Sequence, residues 1–145
     1  MFDKILVALD GSEGAHEALK TAVSMQKSCG GELLLLSVYR DHNLWKASIT
    51  FVDDSRTAST DEAMQQYARN VAEQSKQFVQ AQGVDKVRAF YMGGGPARTI
   101  IRFSQEHAVD LIVLGSRGLS APRSELLGGV SHKVANLAKC PVMVV

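Results

Sequence analysis

Residues 4–39, KILVALDGSEGAHEALKTAVSMQKSCGGELLLLSVY, decide the fold of this 145-residue chain. Two apolar runs, Lys4 to Asp10 and Glu32 to Tyr39, flank a stretch that carries small and apolar residues on one helical face. Runs that are apolar on both faces are typical of parallel strands covered by helices on each side. Ser12 is placed to start the intervening helix and Gly30-Gly31 to end it, so the segment predicts a β-α-β unit.

The rest of the chain continues this alternation of strand and helix. Further strands are predicted at Lys86 to Met92, Asp110 to Gly115 and Pro141 to Val145. Helical patterns cover Ser12 to Lys27, Asp61 to Gln82, Ala97 to His107 and Val130 to Ala138. With right-handed crossovers, this order predicts a single three-layer α/β/α doubly wound domain over residues 1–145. We expect a five-stranded parallel sheet in the order 3-2-1-4-5.

One long segment, Arg40 to Thr60, fits neither the strand nor the helix pattern. It follows a strand on the side of the sheet where ligands bind. Connections of this length inside compact domains are usually functional or mobile. The segment is therefore either a flap over a ligand site or a plain surface excursion.

The bulk composition argues against several classes of function. Sixteen basic and fifteen acidic residues leave a net charge of +1, so the overall field favours neither nucleic acid nor an anionic membrane. The start of the chain lacks a signal-peptide pattern and no apolar run is long enough to span a bilayer, so we expect a soluble cytoplasmic protein. Cys29 and Cys140 lack the CxxC spacing of a zinc site, and we expect both to be small buried hydrophobes.

A ligand of an open parallel sheet binds at the carboxyl ends of the strands, where the chain winding reverses direction. The loops that leave these ends are Asp10-Gly11-Ser12, the segment after Val38, Gly93 to Pro96, and Gly115 to Ser131. In the last loop, Gly115, Gly118 and Gly128-Gly129 precede a helix. Glycine lets the main chain approach an anion, and the first turn of a helix offers unpaired N–H donors. The pattern therefore predicts a nucleotide as the ligand.

Several residues at these loops have two open interpretations. Asp10 either accepts hydrogen bonds from ribose hydroxyls or caps the following turn. Ser131 either donates its hydroxyl to a phosphate or caps its own helix. Gly93-Gly94-Gly95 is either a ligand-facing loop or a flexible turn. Arg117 and Arg123 either pair with phosphate oxygens or are ordinary exposed arginines.

The chain lacks the motifs of better-known nucleotide enzymes. It contains no GxxxxGK[ST], no GxGxxG after the first strand and no GxSxG. Because no general base for water is evident, we expect nucleotide binding with weak or no turnover. The alternatives are a slow hydrolase or transferase that uses Asp10 and Mg²⁺, and a nucleotide-free dimerisation module.

The spacing of the C-terminal glycines matches a known signature, G-x2-G-x9-G-[ST]. Gly115, Gly118 and Gly128 fall at the required positions, and Gly129 stands where the signature has Ser or Thr. The VALDGS start, the LLLLSVY strand, the VDLIVLGSRG strand and the CPVMVV end extend the likeness along the whole chain. On these residues the chain resembles the ATP-binding type of the universal stress protein (UspA) family.

This resemblance implies an adenine nucleotide alpha hydrolase-like fold that binds ATP, with Mg²⁺ held by the ATP phosphates rather than by protein ligands. The implied contacts are Ala8 and Val38 at the adenine, Asp10 at the ribose, and Gly115, Gly118, Gly128, Gly129, Val130 and Ser131 at the phosphates. Arg117 is a further candidate contact. Loss of the hydroxyl at Gly129 is expected to weaken ATP binding about fivefold.

Two further stretches, HNLWKASITF and KVRAFYMGGGPARTIIRF, resemble the TeaD-like subgroup that accompanies TRAP-type solute transporters. This likeness implies a cytoplasmic regulatory subunit whose nucleotide state tunes uptake by a membrane partner. Members of the family also dimerise through the C-terminal strand, and Pro141 to Val145 presents the apolar edge that this requires. We therefore expect a homodimer, with a tetramer as a further option, and neither nucleic-acid binding nor membrane insertion.

Overall fold

The computed structural model describes residues 1–40, 54–118 and 128–145, with side chains in the second range from residue 61 onward. The strands are β1 (Lys4–Leu9), β2 (Glu32–Tyr39), β3 (Val87–Gly93), β4 (Leu111–Leu114) and β5 (Val142–Val144). The helices are α1 (Glu13–Cys29), α2 (Asp54–Ala81), α3 (Pro96–Glu106) and α4 (Gly129–Leu137). No helix in the described ranges is both long and apolar enough to cross a membrane.

The strands form one parallel sheet in the order β3-β2-β1-β4-β5, which confirms the predicted fold class and strand order. Successive side chains of a strand point to opposite faces, and this alternation supplies two apolar cores. Ile5 and Val7 of β1 pack on the face that α1 and α2 cover. Leu6 packs on the opposite face with Phe103 of α3 and Val134 of α4. The sheet is therefore the middle layer of three.

The ends of α1 agree with the sequence prediction. Ser12 Oγ accepts a hydrogen bond from the Ala15 N–H at 3.1 Å, which caps the first turn. Gly30 ends the helix with φ 77°, a left-handed conformation that glycine adopts easily. The helix continues to Cys29, slightly beyond the predicted end at Lys27.

Helix α2 begins at Asp54 rather than at the predicted Asp61. The added residues read DSRTAST, and this polar stretch has no apolar stripe by which a helix could be recognised from sequence. Part of the segment from Arg40 to Thr60 is thus helical. Residues 41–53 lie outside the described residues, and so does the choice between a flap and a surface excursion.

At the amino ends of the strands, a side chain from the loop before β4 holds the start of β1 in place. The Asp110 carboxylate accepts the Asp3 N–H at 2.8 Å and the Lys4 N–H at 3.0 Å. The Lys4 ammonium donates to the His107 carbonyl oxygen at 3.1 Å. These bonds join β1 to β4 at the end of the sheet away from the predicted ligand loops. Asp110 was expected inside the strand, but β4 begins one residue later, at Leu111.

Candidate functional site

A cavity of about 1310 Å³ opens at the carboxyl ends of β1, β2 and β4. The chain leaves β1 toward one side of the sheet and β4 toward the other, so this is the crevice where winding reverses. All ten predicted contact residues line the cavity: Ala8, Asp10, Val38, Gly115, Arg117, Gly118, Gly128, Gly129, Val130 and Ser131. Their juxtaposition is a structural fact, and their role in binding stays a prediction. Arg123 lies outside the described residues.

Asp10 follows β1 in a loop that hydrogen bonds hold in shape. Its Oδ1 accepts the Ser12 N–H at 2.9 Å, which forms a local turn before α1. Its main-chain oxygen accepts the Tyr67 hydroxyl of α2 at 3.2 Å. Its Oδ2 lies toward Gly118, because a Cβ added to Gly118 would stand 2.7 Å from this atom. One carboxylate oxygen thus has the capping role, while the other faces the glycine loop.

The glycines after β4 have different structural reasons to be glycine. A Cβ on Gly115 would lie 2.7 Å from the Gly14 carbonyl carbon in the first turn of α1. Gly115 therefore permits close packing of two main chains, a role that needs no ligand. Gly118 instead is exposed beside the Asp10 carboxylate. A Cβ on Gly129 would have no described atom within 4 Å. Gly115 also lines the cavity, so its predicted phosphate contact stays a prediction beside this packing role.

Helix α4 starts at the cavity with an open N-terminus. Gly128 is its N-cap residue, and no described side chain caps the helix. The first N–H groups of an α-helix lack intrahelical acceptors and carry a partial positive charge. The main-chain N–H groups of Gly129, Val130 and Ser131 belong to this first turn. The cavity is therefore lined by hydrogen-bond donors suited to an anion.

The Ser131 hydroxyl is directed to the protein itself. Its oxygen lies 2.9 Å from the Ser116 carbonyl oxygen and 3.0 Å from that of Gly128, and the residue is 3% exposed. The Gly128 N–H also donates to the Ser116 oxygen. The hydroxyl donates rather than caps the helix, and it fastens the start of α4 to the loop after β4. The predicted contact of Ser131 with a phosphate stays a prediction.

The triplet Gly93-Gly94-Gly95 divides between the two interpretations. Gly94 has φ 145°, and a Cβ there would lie 2.6 Å from Thr99 Oγ1. Its N–H donates to the Tyr39 oxygen at 2.9 Å, so it serves the turn. Gly95 is the N-cap residue of α3 and lines the cavity. The part of the triplet that lines the cavity is therefore its last residue, and a ligand contact there stays a prediction.

The cavity also contains residues that sequence reasoning missed. Besides the predicted Arg117, the cationic side chains among its described lining residues are Arg40, Arg98, Arg102 and Lys133. Among the described lining residues, Asp10 is the one with an acidic side chain. Arg98 and Arg102 are four residues apart on α3, a spacing that places both on one helical face and was visible in the sequence. This excess of positive charge favours a polyanionic ligand.

Reactive side chains elsewhere lie apart from the cavity. In the described ranges, no group of three or more His, Cys, Asp or Glu residues is arranged to hold a metal ion. Cys29 and Cys140 are free thiols that are half-buried, not fully buried as expected. Burial raises the pKa of the Cys140 thiol, which disfavours the reactive thiolate. His132 is exposed, contacts Asn136 and is not among the residues that line the cavity.

Comparison with known families matches residues 1–145 to the universal stress protein family. The chain belongs to that family. Universal stress protein YxiE of Bacillus subtilis is 37% identical over 153 aligned residues, which cover 100% of this chain and 99% of YxiE. The solved universal stress protein UspA from Lactobacillus plantarum has a TM-score of 0.87 at 27% identity and covers 99% of this chain and 97% of that one.

A third universal stress protein, solved in complex with cAMP, shares the fold. Its TM-score is 0.74 at 22% identity, with 99% of this chain and 97% of that chain covered.

Proposed function

We propose that this universal stress protein is an ATP-binding regulatory protein with little or no turnover. The proposal depends on one observation: an uncapped helix start, the Gly118 loop and the Asp10 loop converge on a single basic cavity at the switch point of the sheet. Open helix N-termini in such crevices bind phosphate groups. A family member in complex with cAMP supports an adenine nucleotide as the ligand.

Each part of the nucleotide has a counterpart in the cavity. The adenine is assigned to the main chain at Ala8 and Val38, two half-buried residues near the ends of adjacent strands. The ribose hydroxyls are assigned to the Asp10 carboxylate. The phosphates are assigned to main-chain N–H groups of Gly118 and of the first turn of α4, with Gly128 shaping its start. The cationic rim, which includes Arg117, favours a triphosphate over a monophosphate because each added phosphate brings negative charge.

The same cavity explains why turnover is expected to be weak. Asp10 is the sole carboxylate among the described lining residues, and no histidine occurs among them. The proposal assigns the Asp10 carboxylate to the ribose hydroxyls rather than to the phosphates, so we do not expect it to take a proton from an attacking water. Mg²⁺ is proposed to enter with the ATP phosphates, where it neutralises charge.

The proposal is tested by identifying what the purified protein carries. The protein is isolated without added nucleotide and denatured, and the released small molecules are measured by mass spectrometry. We expect ATP, and we expect ATP with Mg²⁺ to raise the melting temperature by several degrees at about one hundred times Kd. Recovery of ADP alone, with ADP formed from added ATP, would support the slow hydrolase instead. An empty protein without a thermal shift would refute nucleotide binding.

We also propose a homodimer formed through the C-terminal segment Pro141 to Val145. In this segment β5 is an edge strand of the sheet, and its side chains are half-buried. An open edge with apolar residues favours pairing with a second copy around a two-fold axis. Replacing Val144 with Asp is expected to shift the protein to monomers on a sizing column, because a charge would then enter the interface. An unchanged elution volume would contradict edge pairing.

The TRAP-type transporter is the partner we propose for this regulator. The support is the resemblance of KVRAFYMGGGPARTIIRF, which forms β3, the glycine turn and the start of α3. HNLWKASITF, the other similar stretch, lies outside the described residues. In this proposal the nucleotide state changes affinity for the transporter from the cytoplasmic side. Binding of purified transporter that differs between ATP and ADP would support this role, and equal or absent binding would contradict it.

A further inference from the structure

Tyr67 of α2 reaches across to the loop that carries Asp10. Its hydroxyl donates to the Asp10 main-chain oxygen at 3.2 Å, and its side chain lines the cavity. Gly11 lies directly against the phenol, so that any Cβ at this position would collide with the Tyr67 hydroxyl oxygen. Gly11 also has φ +85°, which disfavours other residues. Tyr67 and Gly11 therefore form a fitted contact between two elements that are distant in sequence.

The Tyr67 bond adds to other restraints on Asp10. Ser12 holds the Asp10 Oδ1 through its N–H at 2.9 Å, and Ser12 is itself fixed by the Ala15 N–H at 3.1 Å. These bonds lie within the loop and the start of α1. The hydrogen bond from the Tyr67 hydroxyl to the Asp10 main-chain oxygen ties the loop to α2. The direction of the Asp10 carboxylate into the cavity thus depends on α2 as well as on α1.

We propose that Tyr67 is a positioning residue that orients Asp10 toward the ribose of the bound nucleotide. Tyr67 thereby sets how strongly the site prefers a ribonucleotide to its 2′-deoxy counterpart. This inference rests on the proposed nucleotide binding and adds a residue that the glycine signature does not contain. The contact acts through Asp10, because the Tyr67 hydroxyl donates to the main-chain oxygen of that residue.

The test compares ATP with dATP in the wild type and in Tyr67→Phe. The substitution keeps the ring and removes one donor, so the fold is retained. We expect calorimetric titration to show a preference for ATP that falls about threefold in the variant, the effect of one neutral hydrogen bond. The matched control is Tyr91→Phe, since Tyr91 is an exposed tyrosine of β3 that does not line the cavity. The control is expected to keep the wild-type preference.

A second measurement tests the contact without any ligand. Hydrogen exchange of the Ser12 amide, which bonds to Asp10, is expected to speed up about threefold in Tyr67→Phe and to stay unchanged in Tyr91→Phe. An unchanged Ser12 exchange rate would overturn the positioning role even if ATP binds. Equal loss of ATP and dATP affinity would also overturn it, because it would indicate a merely structural effect. Failure of the wild type to bind either nucleotide refutes the proposed function and the ribose preference together, whereas the exchange result still decides whether Tyr67 restrains the loop.

Discussion

The loops after β1 and β4 leave these neighbouring strands at their carboxyl ends, and the helices that follow start in different ways. After β1, the Ser12 side chain caps α1 and accepts the Ala15 N–H. After β4, Gly128 begins α4, and no side chain of the described ranges caps it. A capped helix start satisfies its own donors, whereas an uncapped one leaves them for another acceptor. The comparison separates a helix start that serves the fold from one that we assign to a ligand.

Gly118→Val is expected to have the largest effect on ATP binding among the variants considered. The new side chain would meet the Asp10 Oδ2, 2.7 Å from the position of its Cβ, at a residue that lines the cavity. We expect ATP affinity to fall about hundredfold or more, since two sets of polar contacts are lost. The thermal unfolding midpoint without ligand should change little, because residue 118 is exposed. Retained ATP affinity in a titration would refute the role of this loop.

Gly115→Ala is expected to act on the fold first. Its Cβ would lie 2.7 Å from a main-chain atom of Gly14, so the start of α1 must shift. Overpacking of this kind costs about 1–3 kcal/mol of unfolding free energy. Urea denaturation measures the loss, with Gly118→Val as the comparison that should lose less stability and more affinity. Equal stability of Gly115→Ala and the wild type would show that the contact with α1 yields easily.

Ser12→Ala tests the capped helix start. Loss of the side-chain acceptor is expected to lower the unfolding free energy by about 1 kcal/mol. The Ser12 N–H that bonds to Asp10 belongs to the main chain and is retained, so ATP affinity should change less than about twofold. Urea denaturation and calorimetric titration of the same variant check both values. A larger effect on affinity than on stability would erase the distinction between the two helix starts.

Gly129→Ser tests whether an added hydroxyl at the uncapped start of α4 strengthens ATP binding. The position has open space for a Cβ, and the hydroxyl would stand in the first turn of α4 beside the proposed phosphates. We expect ATP to bind about fivefold more tightly, which corresponds to about 1 kcal/mol for one added hydrogen bond. The variant is also the matched control for Gly118→Val, because both add a side chain to the same site. Unchanged affinity would mean that the hydroxyl does not reach a phosphate.

Much of the fold was predictable because its signals are local. Strands buried on both faces, the Ser12 cap and Gly30 at the end of α1 are visible as short patterns, and the structure places them close to the predicted positions. The start of α2 was missed because helix continues there through polar residues without an apolar stripe. The loops that line the cavity were also predictable, since they follow from the strand order and the glycine spacing.

Other parts of the site depend on contacts between distant segments. Nothing near Gly115 in sequence shows that it packs against Gly14, and nothing near Ser131 shows that its hydroxyl meets the Ser116 oxygen. Tyr67 reaches the cavity because α2 packs on the sheet against β2 and β3. Such roles are set by the packing of helices on the sheet, which a single sequence does not display.

The Asp110 carboxylate fixes two central strands at a place that substitutions in the cavity do not touch. It secures the first and fourth strands at the rim opposite the cavity, through the N–H groups of Asp3 and Lys4. The alignment of these two strands is therefore fixed at the end of the sheet opposite the cavity, away from the proposed ligand site. Substitutions at the cavity mouth can therefore change which ligand the proposed site accepts while the alignment of these two strands persists.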